Sequence, residues 1–252
     1  MPRFTRWQGI TLCVAALVST VWLAVTNQLI LYIHPRYIVF TVIMTVLGLV
    51  LVVASFGRSP DREHDQEHGE PTPSGYRRAI TVAGTVLTLV VAIALVIVPP
   101  ATLTTATADQ RVINSTQVGS GTKTVDSAAS APAGAFARFT VLDWSSLLRQ
   151  TTDASFYRDK AANVVGFITK DADDPQNVFY VSRFVITCCA VDAQPVGVPV
   201  FLPNWQNRFA ADHWVKVSGS FESNPSTKSQ QSIALVPTAT TKVDQPSEPY
   251  LY

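Results

Sequence analysis

Two adjacent cysteines, Cys188-Cys189, followed three residues later by Asp192, are the strongest chemical feature of this sequence. Paired thiolates bind soft or borderline metals such as zinc and copper. Asp192 is the candidate third ligand, and His213 a further one. Vicinal cysteines can instead close a strained eight-membered disulfide ring, whose strain would raise its reduction potential. A third reading puts one cysteine in the core and the other on a surface that packs against a partner. Side chains on an extended strand alternate between faces, so joint ligation requires a bulge or turn. Residues 190–193 are placed to supply one. The remaining cysteine, Cys13, lies in an apolar run and reads as a buried helix side chain. His64 and His68 stand at helical i, i+4 spacing in an acidic stretch, which reads as a solvated charged loop. No G-x-S-x-G, Walker loop or G-x-G-x-x-G pattern occurs, so the sequence points away from an enzyme.

These residues need elements to position them, and composition constrains those elements. Hydrophobic residues make up 47% of the chain and charged residues 15%, against about 25% in typical soluble domains. The mean hydropathy is +0.21. A net charge of +1 excludes a basic nucleic-acid binder, and three cysteines exclude a disulfide-dense miniprotein. Three runs, residues 7–33, 37–56 and 79–98, contain no Asp, Glu, Lys or Arg. Each approaches or exceeds the roughly 20 residues needed to cross a bilayer, which predicts three transmembrane helices in a membrane domain over 1–100. Arg3 and Arg6 precede the first run, Arg36 alone follows it, and Arg58, Arg62, Arg77 and Arg78 occupy loop 57–78. By the positive-inside rule the N-terminus and loop 57–78 are cytoplasmic, and everything after residue 98 is exported. The expectation is a multi-pass protein of the cell membrane.

Residues 101–135 are rich in Ala, Thr, Ser and Gly, which predicts a flexible linker. Over 136–252 the patterning predicts an extracytoplasmic, mainly β domain. A strand running into a helix is expected over 139–148, with Asp143 as N-cap. Strands are expected over 163–169, 178–188, 196–201, 214–221 and 232–236. Gly166 and Gly219 interrupt two of them, as at bulges or barrel corners. Five short strands in about ninety residues suggest a small OB-like barrel, with a β-sandwich as the alternative.

Absence of ionisable residues from the spans argues that these helices do not conduct a charged solute alone. Gly48 and Gly84 offer small-residue surfaces for close approach of another helix. His34-Pro35-Arg36 joins the first two spans. Pro35 is expected to break the helix and fix a turn, and this corner and the two glycines are the candidate contacts to a membrane partner.

Several motifs recur in order along the chain. Tyr32-Ile33-His34-Pro35-Arg36-Tyr37 precedes Pro99-Pro100-Ala101-Thr102-Leu103 and Thr107-Ala108-Asp109-Gln110-Arg111. Arg183-Phe184-Val185-Ile186-Thr187-Cys188-Cys189-Ala190 then leads to Asp192-Ala193-Gln194-Pro195 and the terminal Pro249-Tyr250-Leu251-Tyr252. Together they resemble the YcgQ-like family of bacterial membrane proteins. That resemblance implies a non-catalytic subunit of a two-component permease complex, beside a polytopic permease of the YraQ type. It carries over no substrate, cofactor or catalytic residue. The competing expectation is an autonomous, membrane-anchored metal-binding or thiol-redox module built on Cys188-Cys189.

Overall fold

The computed structural model describes residues 2–57, 75–98, 101–115 and 123–252. They fall into two compact units, Met1–Pro100 and Ala101–Tyr252.

The first unit is helical: α1 (Pro2–Val25), α2 (Pro35–Gly57) and α3 (Gly75–Ile97), with α1 packed against the other two. The first apolar run is not one helix. α1 stops at Val25 because Asn27 adopts φ 56°, a left-handed geometry that asparagine tolerates. The Gln28 amide then donates to Leu23 O (2.8 Å) and the Asn27 amide to Ala24 O (3.2 Å), closing a Schellman cap. A 3-10 turn, Leu29–Leu31, carries the chain into α2. Pro35 starts α2 rather than breaking a helix, since the first helical position needs no amide hydrogen. Among the described residues one stretch, Pro35–Ala54, is long and apolar enough to cross a membrane, with mean hydropathy 2.7. Gly9–Val25 and Val82–Ala94 are shorter apolar stretches.

The second unit is a mixed β-sheet domain. Before its strands come α4 (Thr105–Ala108), α5 (Val125–Ala129), α6 (Val141–Gln150) and α7 (Ala154–Tyr157). Thr140, not Asp143, is the N-cap of α6. Its hydroxyl accepts the Asp143 amide (3.2 Å) and the Asp143 carboxylate accepts the Thr140 amide (2.8 Å), a reciprocal capping box. Val141, Trp144 and Leu147 recur at helical spacing and turn inward, so α6 packs across β1, β2 and β3.

The strands are β1 (Ala161–Lys170), β2 (Val178–Val185), β3 (Gln194–Phe201), β4 (Trp214–Ser223), β5 (Ile233–Lys242) and β6 (Tyr250–Leu251). β1 pairs antiparallel with β4 over its first part and with β2 over its last, switching partner at Phe167. β2 pairs with β3, and β4 with β5, both antiparallel. A parallel bridge, Val200 to Leu235, joins β3 to β5, so the pairings form a closed cycle β1-β2-β3-β5-β4. Short β6 adds parallel to β2. Two glycines mark the irregular points. At Gly166 a Cβ would lie 2.4 Å from Ser182 O, so only glycine lets β1 approach β2 at its partner switch. At Gly219 the β4–β5 register shifts, and a Cβ would lie 2.2 Å from Val236 O. The core combines the inward faces of the strands with an aromatic group in which Trp144 lies 4.8 Å from Phe221 and 5.2 Å from Phe139.

Residues 101–115 and 123–135 depart from the expected linker. The Thr105 amide and hydroxyl donate to the two Asp212 carboxylate oxygens (2.6 and 2.8 Å), and the Leu103 amide donates to the Tyr250 hydroxyl (3.1 Å). Asn114 exchanges two 2.9 Å hydrogen bonds with the Gly197 backbone. Ala108 and Ala128 are fully buried. A small-residue composition here lets backbone lie close to the sheet instead of marking a free tether.

Candidate functional site

β2 ends at Val185, earlier than its hydrophobic pattern suggests, and the cysteines lie in the β2–β3 loop. The cause is Asp192. Its Oδ1 accepts the Thr187 amide (3.0 Å), and its Oδ2 accepts the amides of Cys188 (2.7 Å) and Cys189 (3.3 Å). Consecutive amides point to opposite sides of an extended strand. Three converging on one carboxylate therefore force the chain out of the sheet. A 3-10 turn, Ala190–Asp192, completes the reversal, and the Asp192 amide donates to both the Cys189 carbonyl (3.0 Å) and the Cys189 side chain. The turn needed to place both thiols on one side is therefore present.

The Cys188 and Cys189 sulfurs stand 3.5 Å apart, and one donor atom from each of Cys188, Cys189 and Asp192 lies within 4.8 Å of the others. Cys188 is exposed, while the other two are partly buried. The hydrogen bond to the Asp192 carboxylate, reinforced by that to Cys189, pushes the Cys188 thiol up to about 12. Burial opposes ionisation of Asp192, but the Cys188 thiol and the amides of Thr187, Cys188 and Cys189 hold its carboxyl below the ordinary value. A protonated thiol is a poor nucleophile. The arrangement is a convergent set of two sulfurs and a carboxylate.

His213 is not part of this set. It precedes β4, where its Nδ1 accepts the Ala210 amide (3.1 Å). In the other unit, His34 caps α2, its Nδ1 accepting the Arg36 amide (3.0 Å), with Tyr37 edge-on at 6.1 Å. At Gly48 a Cβ would lie 3.4 Å from Leu17 Cδ2, an ordinary van der Waals contact, so α1 lies beside this position. The Gly84 carbonyl accepts the Thr88 hydroxyl (2.8 Å) within α3. His64 and His68 lie outside the described residues.

Comparison with known families also divides the chain in two, but not at the structural boundary. Residues 8–114 match the DUF1980 N-terminal domain and residues 140–252 the DUF1980 C-terminal domain. The chain belongs to the DUF1980 family. This agrees with the YcgQ-like resemblance carried by the motifs. No curated protein matches it. The DUF1980 N-terminal match runs past α3 into α4 and Asn114, residues that pack within the second unit.

Three residues that organise the second unit are not singled out by the sequence as site residues, although Arg183 opens one of the quoted motifs. Arg183, on β2, donates from Nε to Pro249 O (2.8 Å) and from Nη2 to Glu248 O (2.5 Å), and its guanidinium lies 5.3 Å from the Trp214 ring centre. Burial lowers it to about 10, with Tyr252 and Glu248 pulling the other way, so it remains a cation at neutral pH. A charged residue inside an otherwise apolar strand was the available signal. Asp212, at φ 66°, receives Thr105, and Asn114, at φ 61°, grips Gly197. Both are pairings across about a hundred positions of sequence, and spacing carries no trace of them.

Proposed function

We propose that this DUF1980 member is the accessory, non-catalytic subunit of a two-component membrane permease complex. In this reading α1, α2 and α3 cross the cell membrane and dock on a polytopic permease of the YraQ type. The N-terminus and loop 57–78 are cytoplasmic, and the C-terminal domain is an extracytoplasmic, OB-like small barrel that serves gating, solute handling or assembly. One observation carries the reading. α2 presents Val39, Phe40, Ile43, Val50, Leu51 and Val53 outward without a charged residue between them, a surface that water would penalise and lipid or another apolar helix would accept. The uncharged parts of α1 and α3, residues 7–25 and 79–97, run about 28 Å each at 1.5 Å per residue, close to a hydrocarbon core of about 30 Å. The closed pairing cycle with a parallel β3–β5 bridge supports the OB-like description.

The test is purification of tagged full-length protein from native membranes in mild detergent, with copurifying proteins quantified by mass spectrometry. A YraQ-type permease at near-stoichiometric yield is the expected result. Elution without a membrane partner overturns the reading. The convergent donors at Cys188, Cys189 and Asp192 favour a second reading, an autonomous membrane-anchored metal-binding or thiol-redox module. Replacing both cysteines by serine abolishes activity under that reading while leaving any permease association intact.

A further inference from the structure

We infer that the β2–β3 loop is an exchangeable site for a zinc-class divalent cation, held by the sulfurs of Cys188 and Cys189 and one carboxylate oxygen of Asp192, with a fourth position open to solvent. This deepens the module reading and stands apart from permease docking. A missing permease leaves it intact, and a missing metal leaves docking intact.

Three electron-rich atoms turned toward one another repel unless something positive lies between them. Between the two sulfurs, 3.5 Å apart, the Cys188 thiol proton has that role. A cation replaces the thiol protons: each S–H bond breaks with its proton passing to solvent, two metal–sulfur bonds and one metal–oxygen bond form, and no electron is transferred. Separation of the sulfurs selects the kind of cation. At a metal–sulfur distance of about 2.3 Å, a tetrahedral ion holds two sulfurs about 3.8 Å apart, and a linear two-coordinate ion about 4.6 Å. The observed 3.5 Å fits the tetrahedral case with a small outward adjustment. It also lies far outside the roughly 2.05 Å of a disulfide bond.

The loop is built to hold that shape. Asp192 fastens the amides of residues 187–189, so its carboxylate is oriented before any ion arrives. The Asp192 amide donates to the Cys189 sulfur, the type of hydrogen bond that supports a metal-bound thiolate. From outside, Arg111 Nη2 donates to Val191 O (3.1 Å) and pins the turn. Structural zinc sites close with four protein ligands, whereas three ligands and an open position suit exchange or handover. Exposure of Cys188 supplies the open side.

The test uses full-length protein in detergent, reduced with a phosphine, freed of metal and dialysed against zinc alone, then against cobalt(II) as a spectroscopic stand-in. Expected results are one zinc per chain, a thiolate-to-cobalt charge-transfer band with the intense visible bands of tetrahedral cobalt, and protection of Cys188 and Cys189 from alkylation. Cys13, mapped in the same digest, serves as the internal reference and keeps its reactivity unchanged. The Cys188→Ser/Cys189→Ser variant loses the zinc, and Asp192→Asn weakens it at least about tenfold. Alkylation mapping needs no variant, so a misfolded mutant does not remove the test. Zinc uptake equal in wild type and double variant, cobalt bound without a thiolate band, or cysteines equally reactive with and without zinc overturns the proposal.

Discussion

Replacing Arg183 by methionine tests how the last residues of the chain are held. The methionine stem fills part of the same volume, so the change removes mainly the guanidinium. Its two short bonds, to Pro249 O and Glu248 O, are worth about 1.5–3 kcal/mol each as hydrogen bonds to a charged group. Its position over Trp214 adds about 0.5–1 kcal/mol. Relief of guanidinium desolvation offsets part of this, and the freed Glu248 carbonyl reaches water because that residue is exposed. The expected net loss is about 2–3 kcal/mol. It is read as a lowered urea midpoint for full-length protein in detergent, followed by tryptophan fluorescence. Hydrogen exchange gives the local signature. The Ile186 amide, which donates to Leu251 O (3.0 Å), loses protection first, and Leu103 follows through Tyr250. Arg183→Lys keeps the charge without the planar fork and recovers only a minor part of the loss. An unchanged midpoint with residues 250–251 still protected refutes the reasoning.

Gly166→Ala places a methyl group 2.4 Å from Ser182 O and forces β1 from β2 where β1 changes partner. The expected cost is about 1–3 kcal/mol in the same urea assay, and a neutral result shows that the two strands can part without loss. Asp174 gives a pH dependence. The Ser226 hydroxyl (2.6 Å) outweighs burial and, with Asn177, holds its carboxyl below the ordinary 3.8. A depressed folded value stabilises fully above the unfolded value and fades as pH falls through the folded one. The junction between the β1–β2 and β4–β5 loops therefore loosens only below about pH 4, and Asp174→Asn flattens this acid limb in hydrogen exchange. An acid limb unchanged in that variant assigns the effect to another group.

β1 and β4 are legible in the sequence because one face is buried and a period of two survives, and β2 and β3 because they are buried almost throughout. Two-residue β6 and the exposed part of β5 beyond Val236 carry no such pattern. The same logic explains the glycines. A missing side chain inside such a run is costly unless backbone must come close, and Gly166 and Gly219 both sit where it does. The candidate site is legible in composition but not in shape. Cys188, Cys189 and Asp192 are visible as metal-ligand types, whereas the turn that unites them exists only because Asp192 accepts three backbone amides. Hydropathy sees the strand continuing through Ile186 and Thr187 and carries no information about that carboxylate. His213 shows the opposite error. A histidine is a ligand type wherever it stands, and here its ring closes a local turn.

The segment before the barrel shows why a boundary drawn from composition fails. Low apolar content in residues 101–135 predicts that they cannot repay their own ordering entropy. The described residues among them, 101–115 and 123–135, do not need to, because most of what they gain comes from surfaces already folded. Asp212, Tyr250, Gly197, Val191 and Gln150 supply hydrogen-bond partners, and Ala128 enters the core. About seven such bonds at a net value near 1 kcal/mol each reach the order of 5 kcal/mol before ordering entropy, which is comparable to the 5–15 kcal/mol of a whole domain. A fragment of residues 101–252 is therefore expected to unfold cooperatively. One beginning at Phe136 should be several kcal/mol weaker, with the Asp212 turn and the Gly197 stretch of β3 losing protection from hydrogen exchange. Equal urea midpoints for the two fragments would show that the segment is a passenger and restore the tether.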